Sequence, residues 1–145
     1  MTDRTLADCI TAHPPLTLTA DATVLDAARL MAARRCGSVL VLTPNGALAG
    51  IFTERDLLIK VVAAERAPAA TRIDDVMTRA PRTAQPTMPV SHALVLMRDG
   101  GFRHLPVVDA DERVLGMFSI RDTLTCELAD ADEISAHQEH LGTVL

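Results

Sequence analysis

The sequence predicts an α/β (α+β) fold: two tandem β-α-β-β-α repeats packed sheet to sheet as one pseudo-two-fold module, with an extended C-terminal helix. Three observations predict it. Gly50-Ile51-Phe52-Thr53-Glu54-Arg55-Asp56 returns 66 residues later as Gly116-Met117-Phe118-Ser119-Ile120-Arg121-Asp122. In both copies apolar residues keep helical spacing and then strand-like runs at matching places. Beyond the second copy, Leu124, Leu128, Ala131 and Ile134 continue at helical spacing toward His140.

Sliding the chain by the same offset superposes Asp8 on Asp74, Pro15 on Pro81, Thr17 on Thr83 and Val24 on Val90. It also superposes Ala27 on Ala93, Met31 on Met97, Val41 on Val107 and Leu58 on Leu124. Such register marks an internal repeat. A single unit, with one helix pair and a three-stranded sheet, cannot bury both faces of its sheet. Two copies can, and they leave a cleft between them.

The elements follow in order. Cys9–Ala12 and Val76–Thr78 read as short lead-in strands. Thr19-Ala20-Asp21 supplies a helix start, after which Val24, Ala27, Ala28 and Met31 recur on one face; Val90, Ala93, Leu94 and Met97 repeat the pattern. Gly37 ends the first helix and Gly100-Gly101 the second. Val39 to Leu42 and Leu48 to Phe52 flank the turn Pro44-Asn45-Gly46, which reads as a hairpin. Its copy is Leu105 to Val108, the turn Asp109 to Glu112, and Val114 to Phe118. A second helix is expected over Thr53–Val62 and again from Ser119 onward. The expected boundaries are 6–62 for the first repeat, 63–71 for a linker, 72–128 for the second repeat and 129–145 for the helical extension.

At 145 residues, 48% hydrophobic and 23% charged, the chain has the composition of a globular domain. Its aromatic residues are Phe52, Phe102 and Phe118 alone, so the core must be aliphatic, with Met77, Met88, Met97 and Met117 as filler. No apolar run suits a membrane span and no secretion signal opens the chain. Cys9, Cys36 and Cys126 form no spaced pair, which fits a reduced, cytoplasmic protein, and the Ala- and Arg-rich usage points to a bacterial source. The net charge of −5 disfavours nucleic acid as a partner.

Thr53-x-x-Asp56 and Ser119-x-x-Asp122 stand where a strand becomes a helix. A hydroxyl among the free N–H groups of a helix start can cradle a phosphate. An Asp one turn on can accept both hydrogen bonds of a ribose diol. The preceding Arg55 and Arg121 could reach the phosphate. The same spacing is close to a capping box, which needs no ligand, and local chemistry leaves both readings open.

The two Gly-h-h-Ser/Thr-x-x-Asp segments, Asp75-Val76-Met77-Thr78, and Phe102-Arg103-His104-Leu105-Pro106-Val107-Val108-Asp109 resemble the signatures of CBS (cystathionine beta-synthase) domains. The resemblance covers about residues 6 to 128. It implies a stand-alone Bateman module: a homodimeric, non-catalytic sensor with no required cofactor. Its clefts would hold AMP, ADP, ATP, S-adenosylmethionine or a related adenosine compound, and it would report to a separate, regulated protein. A ligand-independent dimerisation module is the alternative.

The resemblance implies two composite sites. In one, Thr53, Arg55 and Asp56 would join Thr78, Thr83, Phe102 and Arg103. Asp56 would hold the ribose, Thr53 and the arginines the phosphate, and Thr78, Thr83 and Phe102 the base. In the mirror site Ser119, Arg121 and Asp122 would join Thr17, Cys36 and Gly37, with His104 near the phosphates. There Ala12 stands opposite Thr78, and Gly37-Ser38 replace Arg103-His104, so the Asp56 site is expected to be the tighter. No catalytic motif is present, and His137-x-x-His140 with Glu139 reads as a solvated helix face rather than a metal site.

Overall fold

The computed structural model describes residues 4–10 and 14–121. A short helix α1 (Leu6–Cys9) leads to strand β1 (Thr17–Thr19), helix α2 (Val24–Arg34) and the hairpin β2 (Ser38–Leu42) and β3 (Leu48–Thr53). A single α-turn, α3 (Glu54–Asp56), continues as a π-helical segment over Leu57–Val62. Two 3-10 turns, Pro68–Ala70 and Ile73–Asp75, then lead to β4 (Thr78–Arg79). Helix α4 (Val90–Gly100) and the hairpin β5 (His104–Val108) and β6 (Val114–Ser119) complete the second repeat. The expected C-terminal helix, with His137, Glu139 and His140, lies outside the described residues.

The first sheet has the order β1-β2-β3-β4. β1 runs parallel to β2 with Leu18 opposite Val41, while β2 and β3 are antiparallel with Val39 opposite Phe52. The second repeat repeats this register. Leu105 lies opposite Phe118, and an isolated parallel bridge from Ala84 to Val107 takes the place of Leu18 and Val41. Each hairpin even breaks register at the same step, after Val41 and after Val107. The two turns differ in chemistry. Gly46 takes φ +86 in the first; in the second the Asp109 carboxylate accepts from the N–H groups of Asp111 and Arg113.

Each core is completed by a segment from the other half of the chain. The first core gathers Val24, Met31, Val39, Val41 and Phe52, together with Ile73, Val76 and Met77 from the start of the second repeat. The second gathers Ala93, Met97, Leu105, Val107 and Phe118, with Leu6 and Cys9 from the N-terminus. Leu6 and Ile73 are both fully buried. Their segments dock through equivalent backbone bonds: Ile73 N–H to Ala22 O and Val24 N–H to Thr71 O on one side, Leu6 N–H to Met88 O and Val90 N–H to Arg4 O on the other.

These bonds correct the expected lead-in. Cys9 ends α1 rather than opening a strand, and the described strand that precedes α2 is β1, from Thr17; Thr11 and Ala12 lie outside the described residues. Of the expected strand Val76–Thr78, Thr78 is extended, and it pairs as β4 with Ile51 of the other repeat. In the lead-ins the repeat runs at an offset of 67, since Leu6 corresponds to Ile73 and Ile10 to Met77. That register makes Thr11, outside the described residues, the sequence counterpart of Thr78, in place of Ala12.

The helix ends also differ from expectation. Helix α2 is capped by Thr23, not by Thr19-Ala20-Asp21: Thr23 Oγ1 accepts from Asp26 N–H, and the Asp26 carboxylate accepts from Thr23 N–H. It ends at Arg35, held left-handed at φ 49, rather than at Gly37. Arg35 is the counterpart of Gly101, which takes φ 71 behind α4 as expected. A Schellman bond closes each end, from Cys36 N–H to Met31 O and from Phe102 N–H to Met97 O.

Candidate functional site

A cleft of about 900 Å³ opens where the two repeats meet. One wall is the turn behind α2, where the left-handed Arg35 swings Cys36, Gly37 and Ser38 toward the second repeat. The opposite wall is Ser119 to Arg121 at the end of β6. Arg103 and His104, entering β5, and Pro14 to Leu16, ahead of β1, close the sides.

The walls are tied together. Arg121 Nη1 donates to the carbonyl of Arg35 at 2.8 Å. Glu54 N–H donates to Gly37 O and Ile120 N–H to Arg103 O, the same bond in both repeats. The approach at Gly37 is close: a Cβ there would stand 3.1 Å from Glu54 Oε1, so that side chain would have to give by a few tenths of an ångström, and 3.5 Å from His104 Nε2, an ordinary contact. The Cys36 thiol points back to Ser38 O at 3.6 Å.

Of the residues expected in the mirror site, this cleft brings together Cys36, Gly37, His104, Ser119 and Arg121, and it adds Arg103 from the other expected set. Thr17 starts β1, exposed and one residue past Leu16 of the lining. Asp122 lies outside the described residues. Arg34, Arg35 and Glu54 also line the cleft. Sequence reading left them out because the left-handed turn at Arg35, which aims this stretch, occurs at a residue that seldom adopts it. Register was the available signal, since Arg35 falls opposite Gly101.

The other expected set is carried by several elements of both repeats. Thr53 and Asp56 form a complete capping box: Asp56 Oδ2 accepts from Thr53 N–H at 3.0 Å and from Thr53 Oγ1 at 3.1 Å, and Asp56 N–H donates to Thr53 Oγ1 at 3.2 Å. Asp56 Oδ1 meets Lys60 Nζ at 3.2 Å, and that ammonium also donates to Val76 O. Arg55 is exposed. Thr78 is exposed on β4 beside Ile51. The Phe102 ring lies over Gly100, closer than a Cβ there would allow, and packs on the second core. Thr83 lines a separate recess of about 820 Å³ with Pro81, Gln85 and Glu112.

Among the described residues no helix is long and apolar enough to cross a membrane, and no three His, Cys, Asp or Glu side chains cluster as metal ligands.

The family model described as "CBS domain" matches residues 6–63 and 73–127. A mitochondrial CBS domain-containing protein of Arabidopsis thaliana, CBSX3, is 39% identical over 110 residues, covering 73% of this chain and 53% of that one. The chain thus spans about half of that relative's length. Among solved structures, a signal-transduction protein with CBS domains from Burkholderia ambifaria MC40-6 aligns with TM-score 0.80 and 37% identity, covering 87% of this chain and 95% of that one. The CBS domain pair of protein MJ0100, solved with 5-methylthioadenosine and S-adenosyl-L-methionine, aligns at 0.79 and 25% identity over 89% and 99%. A CBS domain protein of Pyrobaculum aerophilum, complexed with AMP, aligns at 0.75 and 26% identity over 87% and 98%. The duplicated fold, the exchanged lead-in segments and these matches agree, and the chain belongs to the CBS-domain family as a tandem pair.

Proposed function

We propose that this chain is a regulatory module that binds an adenosine nucleotide, such as AMP, ADP or ATP, between its repeats and signals to a separate partner without catalysis. The observation that carries this reading is the cleft itself. Two segments far apart in sequence, Cys36-Gly37-Ser38 and Ser119-Ile120-Arg121, face each other across it with Arg103 and His104 alongside. CBS pairs of similar fold have been solved with AMP, S-adenosyl-L-methionine and 5-methylthioadenosine. In this reading Ser119, Arg121 and His104 serve the phosphates, Asp122 the ribose, and Cys36 and Gly37 the base edge. A ligand touching both walls changes their relative position only if it binds one arrangement more tightly.

The second set, Thr53, Arg55, Asp56, Thr78, Thr83, Phe102 and Arg103, would form the other nucleotide site. A homodimer completes the proposal. Leu58, Ile59 and Val62 on the π-helical segment are 62%, 52% and 58% exposed, an apolar stripe suited to a second copy.

Thermal unfolding of nucleotide-stripped protein against AMP, ADP, ATP and S-adenosylmethionine tests the reading. A ligand at a hundred times its dissociation constant adds about 2.7 kcal/mol, which is several degrees in a domain of this size. No shift with any compound, in folded protein, refutes a sensor. The capping box and the Lys60 contact on Asp56 favour a second reading, a ligand-independent interaction module. Asp56→Ala separates the two: loss of stability alone supports the cap, loss of binding in a folded variant supports the nucleotide site.

A further inference from the structure

We infer that Lys60 is a positioning residue that ties the Asp56 carboxylate to the exchanged segment at Val76, and that a ribose diol engaging Asp56 must displace it. The inference rests on the reading of Asp56 as a ribose contact and adds the regulation of that site. Lys60 is the sole lysine of the chain; every other Lys or Arg position is arginine. An ammonium is a compact charge with three donors, where arginine presents a planar fork. Here Lys60 Nζ meets Asp56 Oδ1 at 3.2 Å, four residues back, and donates to Val76 O at 3.2 Å.

An ionised carboxylate offers about four acceptor positions. The Thr53 N–H and hydroxyl fill two on Asp56 Oδ2, and Lys60 fills one on Oδ1. One position remains, on Oδ1, whereas a ribose diol brings two hydroxyl donors. Thr53 is held from both sides, since its Oγ1 also accepts from Asp56 N–H, and releasing it breaks the helix cap. Lys60 gives way at less cost, because its side chain is 42% exposed and water can solvate the freed ammonium.

The displaced ammonium also leaves Val76 O. Val76 and Met77 are buried in the first core, and Thr78 follows them into β4 beside β3. Diol binding at Asp56 therefore loosens one tie on the segment that crosses between repeats. By linkage, the seated segment weakens diol binding to the same degree. A 2′-deoxynucleotide brings one sugar hydroxyl to this position and fits the open acceptor with Lys60 in place.

Calorimetry with AMP and 2′-deoxy-AMP, joined to hydrogen exchange on the full chain, tests this. Lys60→Met keeps most of the aliphatic stem and drops the ammonium. In that variant the preference for AMP over 2′-deoxy-AMP should rise by about threefold or more. The same substitution in an Asp56→Asn background should leave the preference unmoved. In wild type, AMP should speed amide exchange at residues 76–80 by about threefold or more, and 2′-deoxy-AMP should not. Ligand-free Lys60→Met should already exchange faster there, with the hairpin of β5 and β6 unchanged. An unmoved preference in folded Lys60→Met, or exchange at residues 76–80 no faster than wild type, overturns the inference and leaves nucleotide binding standing. Faster exchange in both repeats alike overturns it too, as general destabilisation. If neither compound binds wild type, the nucleotide reading fails and the displacement with it.

Discussion

The Arg121 guanidinium donates from Nη1 to the carbonyl of Arg35, 86 residues earlier in the chain, at 2.8 Å. The bond joins the end of β6 to the left-handed residue behind α2, so it links two walls of the cleft between the repeats. Because both groups are exposed, Arg121→Ala should cost only about 0.5–1 kcal/mol in denaturant unfolding. Nucleotide affinity should fall further, by about tenfold or more, since a charge-assisted phosphate contact goes with it. Arg121→Lys should retain part of the affinity but lose the fixed geometry.

Arg35 and Gly101 occupy equivalent left-handed caps, φ 49 and φ 71, and differ in what that conformation costs. Arg35→Gly should therefore raise stability by about 0.5–1 kcal/mol while weakening nucleotide binding, because a cation leaves the cleft wall. Gly101→Ala should lower stability by about 1 kcal/mol through backbone strain alone, since a Cβ there meets nothing within 4 Å. Urea titration of both variants gives the two signs. If both variants shift the midpoint the same way, the equivalence of the caps is wrong.

Gly50 lies under the exchanged segment of the first core. A Cβ at this position would stand 2.6 Å from Met77 Sδ and 2.8 Å from the Thr78 carbonyl oxygen. The thioether can move, but the backbone of β4 cannot move without breaking its pairing with β3. Gly50→Ala should cost about 1–3 kcal/mol. Gly116→Ala, which would approach the Ile10 side chain at 3.0 Å, should cost less because a side chain can turn aside. Differential scanning calorimetry ranks the two.

Asp26 supplies a pH signature. The Thr23 backbone N–H, and then its hydroxyl, hold the Asp26 carboxyl below the usual carboxylate range. A depressed native pKa means that the capping contribution is present above the ordinary Asp value of about 3.9 and is lost as pH falls through the lower native one. The melting-temperature gap between wild type and Asp26→Asn should be constant near neutrality and close on acidification below that value. A gap that persists at the acid end would falsify the cap as its source.

The extent to which the sequence specified this molecule can be judged residue by residue. Periodicity disclosed α2 and α4 because Val24, Ala27 and Met31 and then Ala93 and Met97 need burial on one face. Alternating β-propensity and turn residues disclosed both hairpins, and the offset of 66 fixed their equivalence. The resemblance assembled part of the cleft in advance: Cys36, Gly37, His104, Ser119 and Arg121 do come together.

By itself, then, the sequence determined the duplication, the two main helices and the two hairpins, because these depend on local spacing and composition, and its motifs carried the resemblance to the family. Tertiary structure decided the rest. Leu6 and Ile73 read equally well as members of their own repeats, and packing alone sends each to the opposite core. Arg35 carries no local signal for a left-handed cap, yet tertiary packing holds it there and places its cationic neighbourhood on the cleft. Lys60 reaches Asp56 through helical spacing and Val76 only through the exchanged segment. Contacts across the repeats follow from which surfaces can be buried together, and that is a property of the whole chain.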